Sequence, residues 1–65
     1  MGDIIRKLRE QQGMTQEELA NKSGVSRQTI SALESGKSEN VLTGTLASIA
    51  AALGTTVDYF FTKSV

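Results

Sequence analysis

The 65-residue sequence contains no cysteine, no histidine, no proline and no tryptophan. Without cysteine no disulfide can brace so short a chain. Without cysteine and histidine the commonest metal ligands and the usual nucleophile–base pairs are gone. No metal and no cofactor are expected. An enzyme is the least supported class, because serine, threonine, lysine and carboxylates alone would have to build a pocket from very few residues. No apolar run approaches the length that crosses a bilayer, and Asp3 stands where a secretory signal would carry positive charge. These features predict a soluble, cytoplasmic protein with no membrane partner. Aromatics are scarce too: Tyr59, Phe60 and Phe61 are the whole set. One domain spanning 1–65 is expected, with a core worth only a few kcal/mol, so oligomerisation or a partner is a reasonable expectation. An excess of charge is also missing, since seven Lys and Arg balance seven Asp and Glu. That counts against a strongly basic nucleic-acid binder, although a neutral chain can still present one basic face.

What is present is a series of short apolar-periodic segments punctuated by glycine. Ile4, Ile5 and Leu8 have helical spacing, and Gly13 sits where a helix end favours a left-handed residue. Thr15 and Glu18 have the spacing of a capping box, with Met14 and Leu19 as its hydrophobic staple, so a second helix starts at about Gln16 and closes at Gly24. Ser26 then caps a third helix over about 27–35, with Val25 and Ile30 as staple and Gly36 beyond its end. Leu46, Ile49, Ala50 and Leu53 form the stripe of a fourth helix that Gly54 ends. Thr55 or Thr56 caps a last short helix carrying Val57, Phe60 and Phe61. The fold class is therefore all-α, a compact five-helix domain. Ile4, Leu8, Leu19, Ile30, Leu33, Leu46, Ile49 and Leu53 are the expected core, joined by two of the three aromatics. Arg6, Lys7 and Arg9 read as an ordinary charged face, with Arg6 spaced to pair with Glu10.

The segment 16–35, QEELANKSGVSRQTISALES, carries the most information. Two short helices joined across Lys22–Val25 must cross steeply. Such a crossing needs a small residue where the helices meet (Ala20), a backbone position tolerant of positive φ (Gly24) and a branched anchor further on (Ile30). This is the helix-turn-helix arrangement. The runs IRKLREQQGMTQEELANKSGVSRQTISALESGK, TLASIAAALG and VDYFF extend the match to nearly the whole chain. The sequence resembles the DNA-binding domains of phage repressors and Cro-type proteins, the xenobiotic-response-element type of helix-turn-helix regulator.

That resemblance implies binding to double-stranded DNA, with the third helix in the major groove and the second lying across the backbone. It places Arg27, Gln28, Ser31 and Ala32 at base-contacting positions. The chemistry suits them: Arg can bond guanine O6 and N7, Gln can bond adenine N6 and N7, and the Ala32 methyl can meet a thymine methyl. Gln16, Thr29 and Lys37 are implied DNA-backbone contacts, Gln16 also bracing the recognition helix. Thr15 and Glu18 are sufficiently explained as a cap. Val57 and Tyr59 are implied at a homodimer interface. The functional expectation is a transcriptional regulator, a repressor acting as a dimer on an inverted-repeat operator. The linker KSENVLTGT departs from the family in length and lacks its proline and extra basic residues, so no contact is carried across 38–44. With net charge zero, few phosphate contacts, modest affinity and a shallow salt slope are expected. The alternative is a protein-interaction module of the same fold, antitoxin-like or an anti-regulator, favoured by the neutral charge, Glu39 and the C-terminal aromatics.

Overall fold

The computed structural model describes residues 2–37 and 42–62. These form five helices: α1 (Gly2–Gln11), α2 (Gln16–Ser23), α3 (Arg27–Glu34), α4 (Thr43–Leu53) and α5 (Val57–Thr62). No strand occurs among the described residues. The described residues adopt the expected all-α, five-helix architecture.

The local signals operate as chemistry. The Thr15 hydroxyl accepts from the Glu18 backbone N–H at 3.0 Å, and the Glu18 carboxylate accepts from the Thr15 N–H at 2.8 Å, which completes the capping box of α2. Ser26 accepts from the Thr29 N–H at 3.2 Å and so caps α3. Between them Gly24 has φ +76°, and its N–H bonds the Ala20 carbonyl at 2.9 Å. That single bond ends α2 in a left-handed residue and releases the chain directly into α3. The end of α3 is different: Lys37 N–H bonds Ala32 O at 2.9 Å and Gly36 N–H bonds Leu33 O at 3.2 Å, the two-bond Schellman closure.

α2 packs against α3 and α4, α1 packs against α3, and α5 packs on α4. Leu19, Ile30, Leu33, Leu46, Ile49 and Leu53 are buried where these helices meet, as expected. Each such side chain contributes about 1.5–3 kcal/mol by leaving water. The face of α1 is rotated from the expected one. Ile5 is fully buried, whereas Ile4 and Leu8 are half-buried at the edge of the core. Only one aromatic joins the core, not two: Phe60 is buried, while Tyr59 and Phe61 are 47% and 59% exposed.

Arg9 also departs from expectation, because it is buried rather than part of a solvated charged face. Glu10 lies 3.8 Å from Arg9 and not against Arg6. Gln12, outside the end of α1, donates its side-chain N–H to the Leu53 carbonyl at 2.8 Å and satisfies one of the open acceptors at the end of α4.

The start of α1 sits against the last turn of α3. A methyl group added at Gly2 would run into the Leu33 carbonyl oxygen and lie 3.1 Å from Glu34 Cα. Gly44, in the first turn of α4, faces open space. Gly2→Ala is therefore expected to destabilise the fold by about 1–3 kcal/mol through forced separation of α1 and α3. Gly44→Ala is expected to stabilise it by about 0.5–1 kcal/mol through helix propensity alone. Urea denaturation followed by circular dichroism measures both, and opposite signs are the expected result.

Candidate nucleic-acid interface

α3 has two chemically distinct sides. Ile30, Leu33 and Glu34 are buried, while Arg27, Gln28 and Ser31 are exposed. The exposed three fall together because positions three and four apart share a helix face. Ala32 lies half-buried at the edge of that face. Arg27 and Gln28 make no side-chain hydrogen bond or ion pair with any described residue. Ser26 donates its hydroxyl hydrogen to Thr29 Oγ1 at 2.9 Å, which leaves the Thr29 hydroxyl its own hydrogen to donate elsewhere. Thr29 is half-buried and Lys37 is exposed. Arg27 opens α3 and Lys37 follows its closure, so the two cations mark opposite ends of the helix.

A buried polar cluster fixes the orientation of this face. Arg9 on α1 holds the Glu34 carboxylate of α3 with two hydrogen bonds, Nε to Oε2 at 2.7 Å and Nη2 to Oε1 at 3.0 Å. Its remaining nitrogen, Nη1, donates to the Met14 carbonyl at 2.6 Å. Gln16, the first residue of α2, donates Nε2–H to Glu34 Oε1 at 3.0 Å. The hydrogen bond with Glu34 raises the Arg9 pKa above its usual value, against the desolvation that would lower it. The carboxylate thus accepts from both neighbouring helices, and α1, α2 and α3 are tied at one point. Through this hydrogen bond Gln16 ties the start of α2 to the end of α3. Its amide nitrogen carries a second N–H besides.

Sequence alone puts Arg9 on a solvated charged face and gives Glu34 no role, and the two are 25 residues apart. A signal was nevertheless available. Arg9 follows the buried Ile5 by four residues, and Glu34 follows the buried Ile30 by four, so each charge lies on an apolar stripe with an opposite charge to meet.

A second surface lies away from α3. Val57 is half-buried and packs on the core, whereas Tyr59 lines an open groove with Ile4, Lys7 and Leu8 of α1. The two expected interface residues therefore differ in environment.

The helix-turn-helix family profile matches residues 5–60. Two archaeal proteins, each an uncharacterised helix-turn-helix-type transcriptional regulator, are similar in sequence. The one from Methanothermobacter thermautotrophicus is 57% identical over 37 residues, covering 57% of this chain and 54% of the relative. The one from Archaeoglobus fulgidus is 64% identical over 33 residues, covering 51% of this chain and 47% of the relative. The matches thus span about half the length of these curated relatives. Among solved structures, the SinR–SinI protein complex superposes with a TM-score of 0.90 at 27% identity, over 95% of this chain and 60% of that one. SinR, the master regulator for biofilm formation, solved in complex with DNA, superposes with a TM-score of 0.88 at 28% identity, over 92% and 95% of the two chains. With the family profile extending from α1 to α5 and the α2–α3 geometry in place, the chain belongs to the helix-turn-helix family of the Cro/C1 type.

Proposed function

We propose that this chain is a single helix-turn-helix unit that regulates transcription in the cytoplasm by binding double-stranded DNA in a sequence-specific way. One observation carries the reading: a helix anchored by Ile30, Leu33 and Glu34 presents an exposed face of Arg27, Gln28 and Ser31. In this reading α3 enters the major groove, and Arg27 and Gln28 bond base edges. Ser31 and the Ala32 methyl complete the contact one turn later. Gln16, Thr29 and Lys37 bond phosphates on either side, Gln16 with the amide N–H that Glu34 leaves open. The likeness to SinR in complex with DNA supports this mode.

The dimeric form of the reading is a homodimer that meets through Val57 and Tyr59. It would place two α3 helices about 34–36 Å apart on an inverted repeat, where occupancy represses by blocking the promoter. The exposed Tyr59 and Phe61 suit such a surface. They suit a second protein as well, the antitoxin-like or anti-regulator alternative, and SinR itself is solved with a protein partner, SinI.

Selection of bound duplexes from a random pool tests the reading. The expected product is an inverted repeat with half-site centres about 10–10.5 base pairs apart, or a multiple of that. Recovery of no enriched motif, with no retention on heparin or random duplex at low salt, would sink it in favour of the protein-interaction module.

A further inference from the structure

The charges of the α2–α3 unit are unevenly committed. Glu18 is held in the capping box and Glu34 in the Arg9–Gln16 cluster. Glu17, Lys22 and Arg27 are exposed and make no ion pair among the described residues. Glu17 follows Gln16 at the second position of α2. It lines one open depression of about 470 Å³ with Asn21, Gly24, Ser26 and Arg27. An anionic side chain therefore shares a surface with the cation that opens the reading helix, and no ion pair among the described residues cancels either charge.

We propose that Glu17 is a brake on DNA affinity: an exposed carboxylate that lines the same depression as Arg27, on the surface that the phosphate backbone approaches. The proposal rests on the reading of α3 as the DNA-contacting helix. A nucleic-acid interface ordinarily gathers cations and clears carboxylates, because phosphate neutralisation supplies most of the sequence-independent affinity. Glu17 works against that term. Each phosphate held about 8 Å away across water would weaken binding by about twofold, and the penalty fades as salt screens it. The effect falls on every duplex alike, since phosphates carry no sequence. The anion thereby lowers both specific and random-sequence affinity and leaves their ratio to the base contacts of α3.

A local explanation competes with this one. A carboxylate in the first turn favours a helix start through the backbone dipole, and Glu17 occupies such a position. Asp3 supplies the control. It also is an exposed acid in a first turn, that of α1, but it lines grooves with Lys7 rather than the depression at Arg27. Asp3→Asn and Glu17→Gln change net charge and helix-dipole contact equally and differ only in place.

The experiment is titration of the purified chain with its selected operator and with a random duplex between 50 and 200 mM salt. Glu17→Gln is expected to tighten both complexes about three- to fivefold at the lowest salt, and less as salt rises. Glu17→Lys should tighten them about tenfold and steepen the slope of log affinity against log salt by about 0.9. Asp3→Asn should stay within about twofold of the parent. Equal behaviour of Glu17→Gln and Asp3→Asn, with the parent chain binding, would overturn the brake and leave the DNA reading intact. A parent chain that binds neither duplex would overturn both.

Discussion

Arg9→Ala is expected to cost about 3–5 kcal/mol of folding stability, because it strands the Glu34 carboxylate in the interior without its cation. A domain of this size has in total about 3–10 kcal/mol, so the variant should be largely unfolded at ambient temperature or close to it. The environment decides the magnitude. The side chains of Arg9 and Glu34 are only 10% and 4% exposed, so water cannot replace what either loses. An exposed pair would cost about 0–1 kcal/mol. Glu34→Ala should be comparably severe, since it leaves a buried guanidinium and frees the Gln16 amide as well. Arg9→Lys should recover only part of the loss, because an ammonium cannot reproduce the two-pronged contact and also reach the Met14 carbonyl. Removing both charges together, as in Arg9→Met with Glu34→Met, should be markedly milder than either alanine variant. Two apolar chains of similar length need no desolvated partner, and the residual cost is the unanswered Met14 carbonyl and Gln16 amide. Urea melts of the singles and a double variant, arranged as a thermodynamic cycle, give the coupling. Single-variant losses below 1 kcal/mol would show that solvent reaches the pair.

This cluster marks the boundary of what the sequence made legible. Helix starts and ends are local, so Thr15 with Glu18, Ser26, Gly24 and Gly54 announced them within a few residues. The face of α1 was not local. Periodicity alone puts Ile4 and Leu8 in the core and Arg9 in solvent. With Arg9 satisfied by a carboxylate from α3, the stripe centres on Ile5 and Arg9 instead. The aromatics failed for a related reason. α5 is six residues long and packs on α4, so it buries one side, and Phe60 takes that side while Phe61 does not. Gly2 was silent as well, since only the approach of the α3 backbone explains why a side chain is excluded there. On the site, the family resemblance points to Arg27, Gln28, Ser31 and Ala32; the first three are exposed because Ile30 and Leu33 are buried opposite, while Ala32 is half-buried. What holds α3 at its angle, the Arg9–Glu34–Gln16 contact, needed three helices brought together.

Arg27→Ala with Gln28→Ala is expected to abolish discrimination between operator and random duplex while leaving the fold intact. Each two-bond contact to a base edge is worth about 1–3 kcal/mol of discrimination, so each single variant should lose about five- to 150-fold in operator affinity. The fold should not suffer, because neither side chain has a partner among the described residues. Arg27 is if anything misplaced for stability: a cation in the first turn of α3 opposes the helix dipole, and its removal should be neutral or stabilising by about 0.3–1 kcal/mol. A residue that stands against its local preference needs another reason, and base contact supplies one. The salt dependence separates base from phosphate contact. Gln28 is neutral, so its loss should lower operator affinity without changing the slope. Arg27→Lys keeps the charge but not the planar fork, and should relax specificity at one base pair with the slope preserved. If Arg27 served only a phosphate, its alanine variant would weaken all duplexes equally and reduce the slope by about 1. Operator and random-duplex titrations at several salt concentrations, beside thermal melts of each variant, make the distinction. A double variant that folds and keeps full operator affinity would remove α3 from the reading role.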